Sequence, residues 1–97
     1  MDVRLEVTVR GVVQGVGFRY FVVQLVRGTG ITGWVANGGR GEVRCVTEGD
    51  RASLERFLLD LERGPAGAIV DQVKAVWMPA TGAFSEFSIR SGAHPGD

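Results

Sequence analysis

Arg19 stands where a helix least tolerates a cation, and the residues before it are of the kind that gather backbone donors. The stretch is Gly11-Val12-Val13-Gln14-Gly15-Val16-Gly17-Phe18-Arg19. Ahead of it Val3, Leu5, Val7 and Val9 alternate with Arg4, Glu6, Thr8 and Arg10, the two-residue period of a half-buried strand. After it Phe18, Phe21, Val22 and Leu25 recur at helical spacing, which puts Arg19 in the first turn of a helix. The unpaired N–H groups and the positive dipole end of that turn repel a cation. A bound anion reverses the sign. Gly15 and Gly17 can turn the amides toward such an anion, because glycine reaches backbone conformations that other residues resist. The segment therefore reads as a phosphate cradle. Its donors are the backbone N–H groups of Gln14, Gly15, Val16, Gly17, Phe18 and Arg19, and the Arg19 guanidinium adds a forked, charge-assisted contact. The same spacing also permits a plain glycine-rich turn with Arg19 in solvent.

Common nucleotide motifs are missing. Tyr20 stands where a dinucleotide fingerprint needs its third glycine, and no Gly-Lys-Ser/Thr occurs. The second chemistry-bearing residue is Asn37, whose carboxamide can orient a water. Its local alternative is a hairpin turn, since Asn-Gly is a common turn pair and Asn tolerates positive φ. Gln14 offers a side-chain amide, but its backbone N–H is the expected contribution. Trp34 and Trp77 read as packing residues, and Cys45 as a small buried residue of a strand with nothing nearby to activate its thiol. No His/Cys/carboxylate cluster has metal-ligand spacing.

Composition narrows the classes. A chain of 97 residues, 44% apolar, supports one core. Eleven Lys and Arg balance eleven Asp and Glu, so there is no basic excess for general nucleic-acid binding. No apolar run suits a membrane span, and Met1-Asp2-Val3-Arg4 lacks a signal-peptide pattern. A cytoplasmic location is expected, consistent with a single cysteine. The expected domain spans residues 3–91, with a flexible tail at 92–97 that holds the one histidine, His94.

The elements that must position Arg19 and Asn37 follow in order. A strand is predicted over 2–12 and a helix over 18–27, closed by Gly28 and Gly30. A strand over 31–36 leads through the turn Asn37-Gly38-Gly39-Arg40-Gly41 into a strand over 42–48. Asp50 is a predicted N-cap for a second helix whose apolar stripe is Leu54, Phe57, Leu58 and Leu61. Gly64-Pro65 ends it, and strands over 69–78 and 84–90 complete the chain. The order β-α-β-β-α-β plus a short C-terminal strand is that of a ferredoxin-like α/β sandwich, an α+β fold. Both helices are expected on one face of a mostly antiparallel sheet, with Arg4, Glu6 and Thr8 on a face open to water.

Val13-Gln14-Gly15-Val16-Gly17-Phe18-Arg19, then Gly33-Trp34-Val35-Ala36-Asn37, then Gly41-Glu42-Val43, closely resemble the acylphosphatase family, and the resemblance runs from Val3 to about Arg90. It implies hydrolysis of carboxyl–phosphate anhydrides by an enzyme with no metal and no cofactor. It also implies that Arg19 is the catalytic arginine, Asn37 the water-orienting asparagine and Gln14 to Arg19 the amide cradle. The implied partner is a small acyl phosphate, with inorganic phosphate or sulfate able to take the same seat. No nucleic acid or membrane is implied, and a monomer is expected. Where some members carry Thr or Ser after the asparagine, this chain has Gly38.

The chemistry is consistent with the residues. A carboxylate leaving group, with a conjugate-acid pKa of about 4, needs little protonation. A chain without a catalytic histidine or paired carboxylates can therefore serve. Two other readings share the fold. One is a phosphate- or carbamoyl-phosphate-binding module like the N-terminal domain of hydrogenase-maturation carbamoyltransferases. The other is an RNA-recognition domain, which needs aromatics on the open face of its central strands. The strands at 2–10 and 42–48 have none.

Overall fold

The computed structural model describes residues 1–90, so the expected tail at 92–97 and His94 lie outside the described residues. The elements are β1 (Asp2–Val12), α1 (Phe18–Val26), β2 (Thr32–Asn37), β3 (Val43–Asp50), α2 (Arg51–Arg63), β4 (Ile69–Pro79) and β5 (Phe87–Ile89). They form one five-stranded sheet in the order β4-β1-β3-β2-β5, antiparallel except where β5 runs parallel to β2. Two helices cover one face. This is the ferredoxin-like α/β sandwich that the element order predicts.

The core follows from the two periodicities. Leu5, Val7 and Val9 of β1, Val35 of β2 and Val43 and Cys45 of β3 point to the helices and are almost wholly buried. Phe18, Val22 and Val26 of α1 and Leu54, Phe57 and Leu61 of α2 close over them. Leu58 is only half-buried, at the edge of that stripe. Trp77 lies opposite Leu5 and packs against this core, with the Arg51 guanidinium 4.3 Å above its ring.

Several boundaries differ from the sequence expectation, each for a tertiary reason. β3 continues through Gly49 and Asp50 because Val3 and Asp2 of β1 pair with them. β2 reaches Asn37, which pairs with Val43. β5 is three residues long rather than seven, since only Gly33, Trp34 and Val35 of β2 offer it partners. α1 ends at Val26 ahead of Gly28, with Thr29 folding its hydroxyl back onto the Val26 carbonyl at 2.6 Å.

The polar face is not open throughout. The connection from β4 to β5 folds over its end. The Glu48 carboxylate, 4% exposed, accepts from Arg4 Nε at 2.8 Å and from the Thr81 hydroxyl and the Thr81 and Gly82 N–H groups at 2.9 Å each. The Arg4 guanidinium lies 5.1 Å from the Phe84 ring centroid. Trp34 shares this outer face with Val46, its pairing partner, and lies under the Arg90 guanidinium at 5.1 Å, so it packs outside the helix-covered core.

Candidate active site

Two buried side chains bracket the cradle loop. Val13 is 1% exposed and Phe18 is 2% exposed, so the chain enters and leaves the loop from fixed points in the core. Phe18 also meets Phe21 edge-on, with centroids 5.7 Å apart. Between these anchors Gly15 and Gly17 take φ of 75° and 78°. A Cβ at either position would meet nothing within 4 Å. It is the left-handed torsion, not crowding, that calls for glycine there.

Gly17 is the N-cap of α1, and it supplies no side-chain cap. The first turn contains no acidic residue. Its first helical bond runs from the Phe21 N–H to the Gly17 carbonyl at 3.0 Å. Among the described residues, no backbone N–H from Gln14 to Arg19 donates to another protein group. Arg19 is half-buried and, among the described residues, has no carboxylate within ion-pair distance. A row of amide donors and a cation thus share one helix start with no protein anion between them.

Asn37 ends β2 at the same edge of the sheet. Val9 of β1 pairs with Val43 of β3, and Val43 pairs with Asn37. Asn37 has the parity of Val35, so it lies on the helix-covered face. It is 8% exposed. No described residue other than glycine has positive φ, so the turn explanation for this asparagine falls away. Its carboxamide makes no hydrogen bond to another described residue, and neither of its polar atoms is sealed from solvent without a partner.

The turn after Asn37 is tied to the cradle directly. Gln14 Nε2 donates to the Gly38 carbonyl and to the Glu42 carbonyl, both at 2.9 Å. The Gln14 side-chain amide is thus engaged within the protein, a structural role that the sequence reading did not give it. Within the turn, the Gly38 N–H donates to the Glu42 carbonyl at 2.8 Å, and the Arg40 N–H to Glu42 Oε1 at 2.9 Å. That Arg40 contact, the Glu42 N–H and nearby Arg10 and Arg44 hold the Glu42 carboxyl below its ordinary pKa. A Cβ on Gly38 would lie 2.2 Å from the Glu42 carboxyl carbon. The room that a Thr or Ser would need here is occupied by Glu42. Sequence reasoning gave Glu42 no role, although it lies in the Gly41-Glu42-Val43 stretch that carries the family resemblance.

Other groups are poorly placed for covalent or metal chemistry. Burial pushes the Cys45 thiol up to about 12, so it is held as the protonated thiol. Among the described residues, no group of three or more His, Cys, Asp or Glu is arranged to hold a metal ion. No described helix is long and apolar enough to cross a membrane.

Fold and site together define a class: a small ferredoxin-like sandwich whose first strand-to-helix turn presents an arginine and amides that are unpaired among the described residues, with a carboxamide at the neighbouring strand end that bonds to none of them. The acylphosphatase family profile matches residues 5–89. The chain is 44% identical over 89 residues to the acylphosphatase of Moorella thermoacetica, covering 92% of this chain and 95% of that one. Its fold superposes on the crystal structure of acylphosphatase from Bacillus subtilis with a TM-score of 0.86 and 31% identity, covering 91% of this chain and 98% of that one. HypF of T. kodakarensis is also similar, at TM-score 0.76 and 32% identity, though the match takes up 12% of that much longer chain. This chain belongs to the acylphosphatase family.

Proposed function

We propose that this protein hydrolyses the carboxyl–phosphate anhydride bond of small acyl phosphates, releasing a carboxylate and inorganic phosphate without a metal or cofactor. Family membership supports the reaction class. The observation that carries the site assignment is the set of amides from Gln14 to Arg19, unanswered among the described residues, beside a guanidinium with no ion pair among them.

The amides of Gln14, Gly15, Val16, Gly17, Phe18 and Arg19 receive the phosphoryl oxygens, and Arg19 adds a forked contact. Phosphoryl transfer spreads negative charge over the equatorial oxygens, and donors fixed in place stabilise that charge without reorganising. Val13 and Phe18 supply the fixing, as buried anchors on both sides. Asn37 orients the attacking water through its free carboxamide, a gain in position rather than in basicity. The carboxylate departs unprotonated. We assign the domain to residues 3–91, its location to the cytoplasm, and its working state to the monomer. No nucleic-acid or membrane partner is assigned, and inorganic phosphate and sulfate are expected to compete for the cradle.

The test is turnover of benzoyl phosphate by chain pre-treated with EDTA. Continued phosphate release supports the reading. Loss of activity that a divalent cation restores would overturn the metal-free mechanism. Phosphate retention with no turnover would point instead to a binding module, the use of this fold suggested by longer chains.

A further inference from the structure

Pairing between β1 and β3 stops at Val9–Val43, although β1 runs on to Val12. Beyond that point Gly11 and Val12 pair only with β4, at Val70 and Ile69. The chain entering the cradle is thus drawn toward one side of the sheet, while the turn that follows Asn37 lies on the other. Gln14 spans this gap. Its NH2 group has two hydrogens, and both are used: one on the Gly38 carbonyl, one on the Glu42 carbonyl. Both acceptors are carbonyl oxygens, so only the nitrogen end of the side-chain amide can face them. Gly38 follows Asn37 directly in the chain, and Glu42 faces Gly38 across the turn at 2.8 Å.

We propose that the Gln14 side chain is a positioning residue that sets the Asn37 carboxamide against the phosphoryl cradle, by clamping both ends of the turn after Asn37 to the loop that binds the substrate. This rests on the roles given above to the cradle and to Asn37. Gln14 thereby belongs to both halves of the site: its backbone N–H faces the phosphoryl group and its side chain holds the water-orienting half. An in-line water must lie opposite the leaving group, and small displacements of such a geometry are costly, by up to about a hundredfold in rate per ångström. A clamp of two bonds between the two halves is the means by which the fold keeps that displacement small. Arg19 lies outside the clamp, so phosphoryl binding and water placement are separable.

The experiment is a coupling cycle between Gln14→Met and Asn37→Ala, with benzoyl phosphate as substrate and inorganic phosphate as competitive inhibitor. Methionine keeps the length and the backbone N–H of Gln14 and removes both donors. Gln14→Met is expected to lower kcat about tenfold or more, within the range that misplaced reacting groups cost. Its inhibition by phosphate should stay within about threefold, since the cradle N–H groups are untouched. In the Asn37→Ala background the same change should do nothing further, because the group being positioned is already gone. Effects that multiply overturn the proposal, as does an unchanged kcat in Gln14→Met. A phosphate affinity that falls as far as kcat does so too, because Gln14 would then act on the cradle alone. Normal turnover by Asn37→Ala would instead overturn the role given to Asn37. A second measurement uses the unmodified protein: the side-chain NH2 of Gln14 should exchange with solvent much more slowly than those of the exposed Gln24 and Gln72. Equal exchange by all three overturns the clamp, even if Gln14→Met does not fold.

Discussion

The two helices begin in opposite ways. α2 starts at Asp50, whose carboxylate accepts from the Ser53 N–H at 2.9 Å and from the Ser53 hydroxyl at 2.8 Å. α1 starts at Gly17, with no side-chain cap, no acid in its first turn and an arginine at its second position. The contrast extends beyond the helices. The N–H groups of Thr81 and Gly82 are answered by Glu48, and that of Arg40 by Glu42. Every one of these donor sites has a carboxylate of the chain itself. The amides from Gln14 to Arg19 have none among the described residues. A helix start with glycine at its N-cap, and so no capping side chain, forgoes about a few tenths of a kcal/mol. Here that vacancy coincides with a cation, and an outside anion is what would make the two compatible.

Breaking the open end should cost activity and spare stability. Arg19→Ala is expected to lower kcat/KM for benzoyl phosphate by about a hundred- to a thousandfold, the range seen when one transition-state donor is removed. Its thermal midpoint should not fall, because Arg19 has no ion pair among the described residues. Next in size, Asn37→Ala should reduce kcat by about a hundredfold while phosphate still inhibits, since only the water is misplaced.

Breaking the closed ends should do the reverse. Glu48 is pushed up by burial, but its N–H donors and Arg4 outweigh that and hold it at about 2, against an ordinary 4.5. The unfolded chain therefore takes up this proton first as the pH falls. The stability due to Glu48 is complete above about pH 4.5 and drains away toward pH 2. Glu48→Gln should destabilise the protein at neutral pH by about 2 kcal/mol. It should also flatten the acid limb of denaturation midpoints measured across that interval, with kcat unchanged. The smallest effect belongs to Asp50→Ala, which should lower the thermal midpoint by a few degrees, as loss of an N-cap does, and leave phosphate release intact. An active Arg19→Ala, or an Asp50→Ala that loses turnover, would erase the distinction between the two helix starts.

How legible each end was in the sequence depended on the range of its interactions. The Asp50 cap was readable because it needs only Ser53, three residues on. The components of the proposed cradle were readable for a similar reason: two glycines, an apolar helix stripe and an arginine fall within a few residues of one another. Asn37 was ambiguous, because a turn asparagine and a strand-end asparagine look alike until the pairing with Val43 is known. The Glu48 cover was hidden. Alternation in β1 marks Arg4 as solvent-facing, and nothing local shows that Thr81 and Gly82 return 33 and 34 residues later to close over Glu48.

The residues themselves, through their spacing, settled the order of strands and helices, the family and the identity of the cation at the first helix start. These rest on periodicity, caps and torsional preference, which act over a few positions. Folding in three dimensions decided that the end of β2 lies beside the cradle, that Gln14 reaches across 24 and 28 residues of chain to hold the intervening turn, and that Glu42 fills the space beside Gly38. Those facts depend on the strand order β4-β1-β3-β2-β5 and on where its ladders stop. Such long-range registers are set by the packing of the whole sheet against both helices, which no short window of sequence contains.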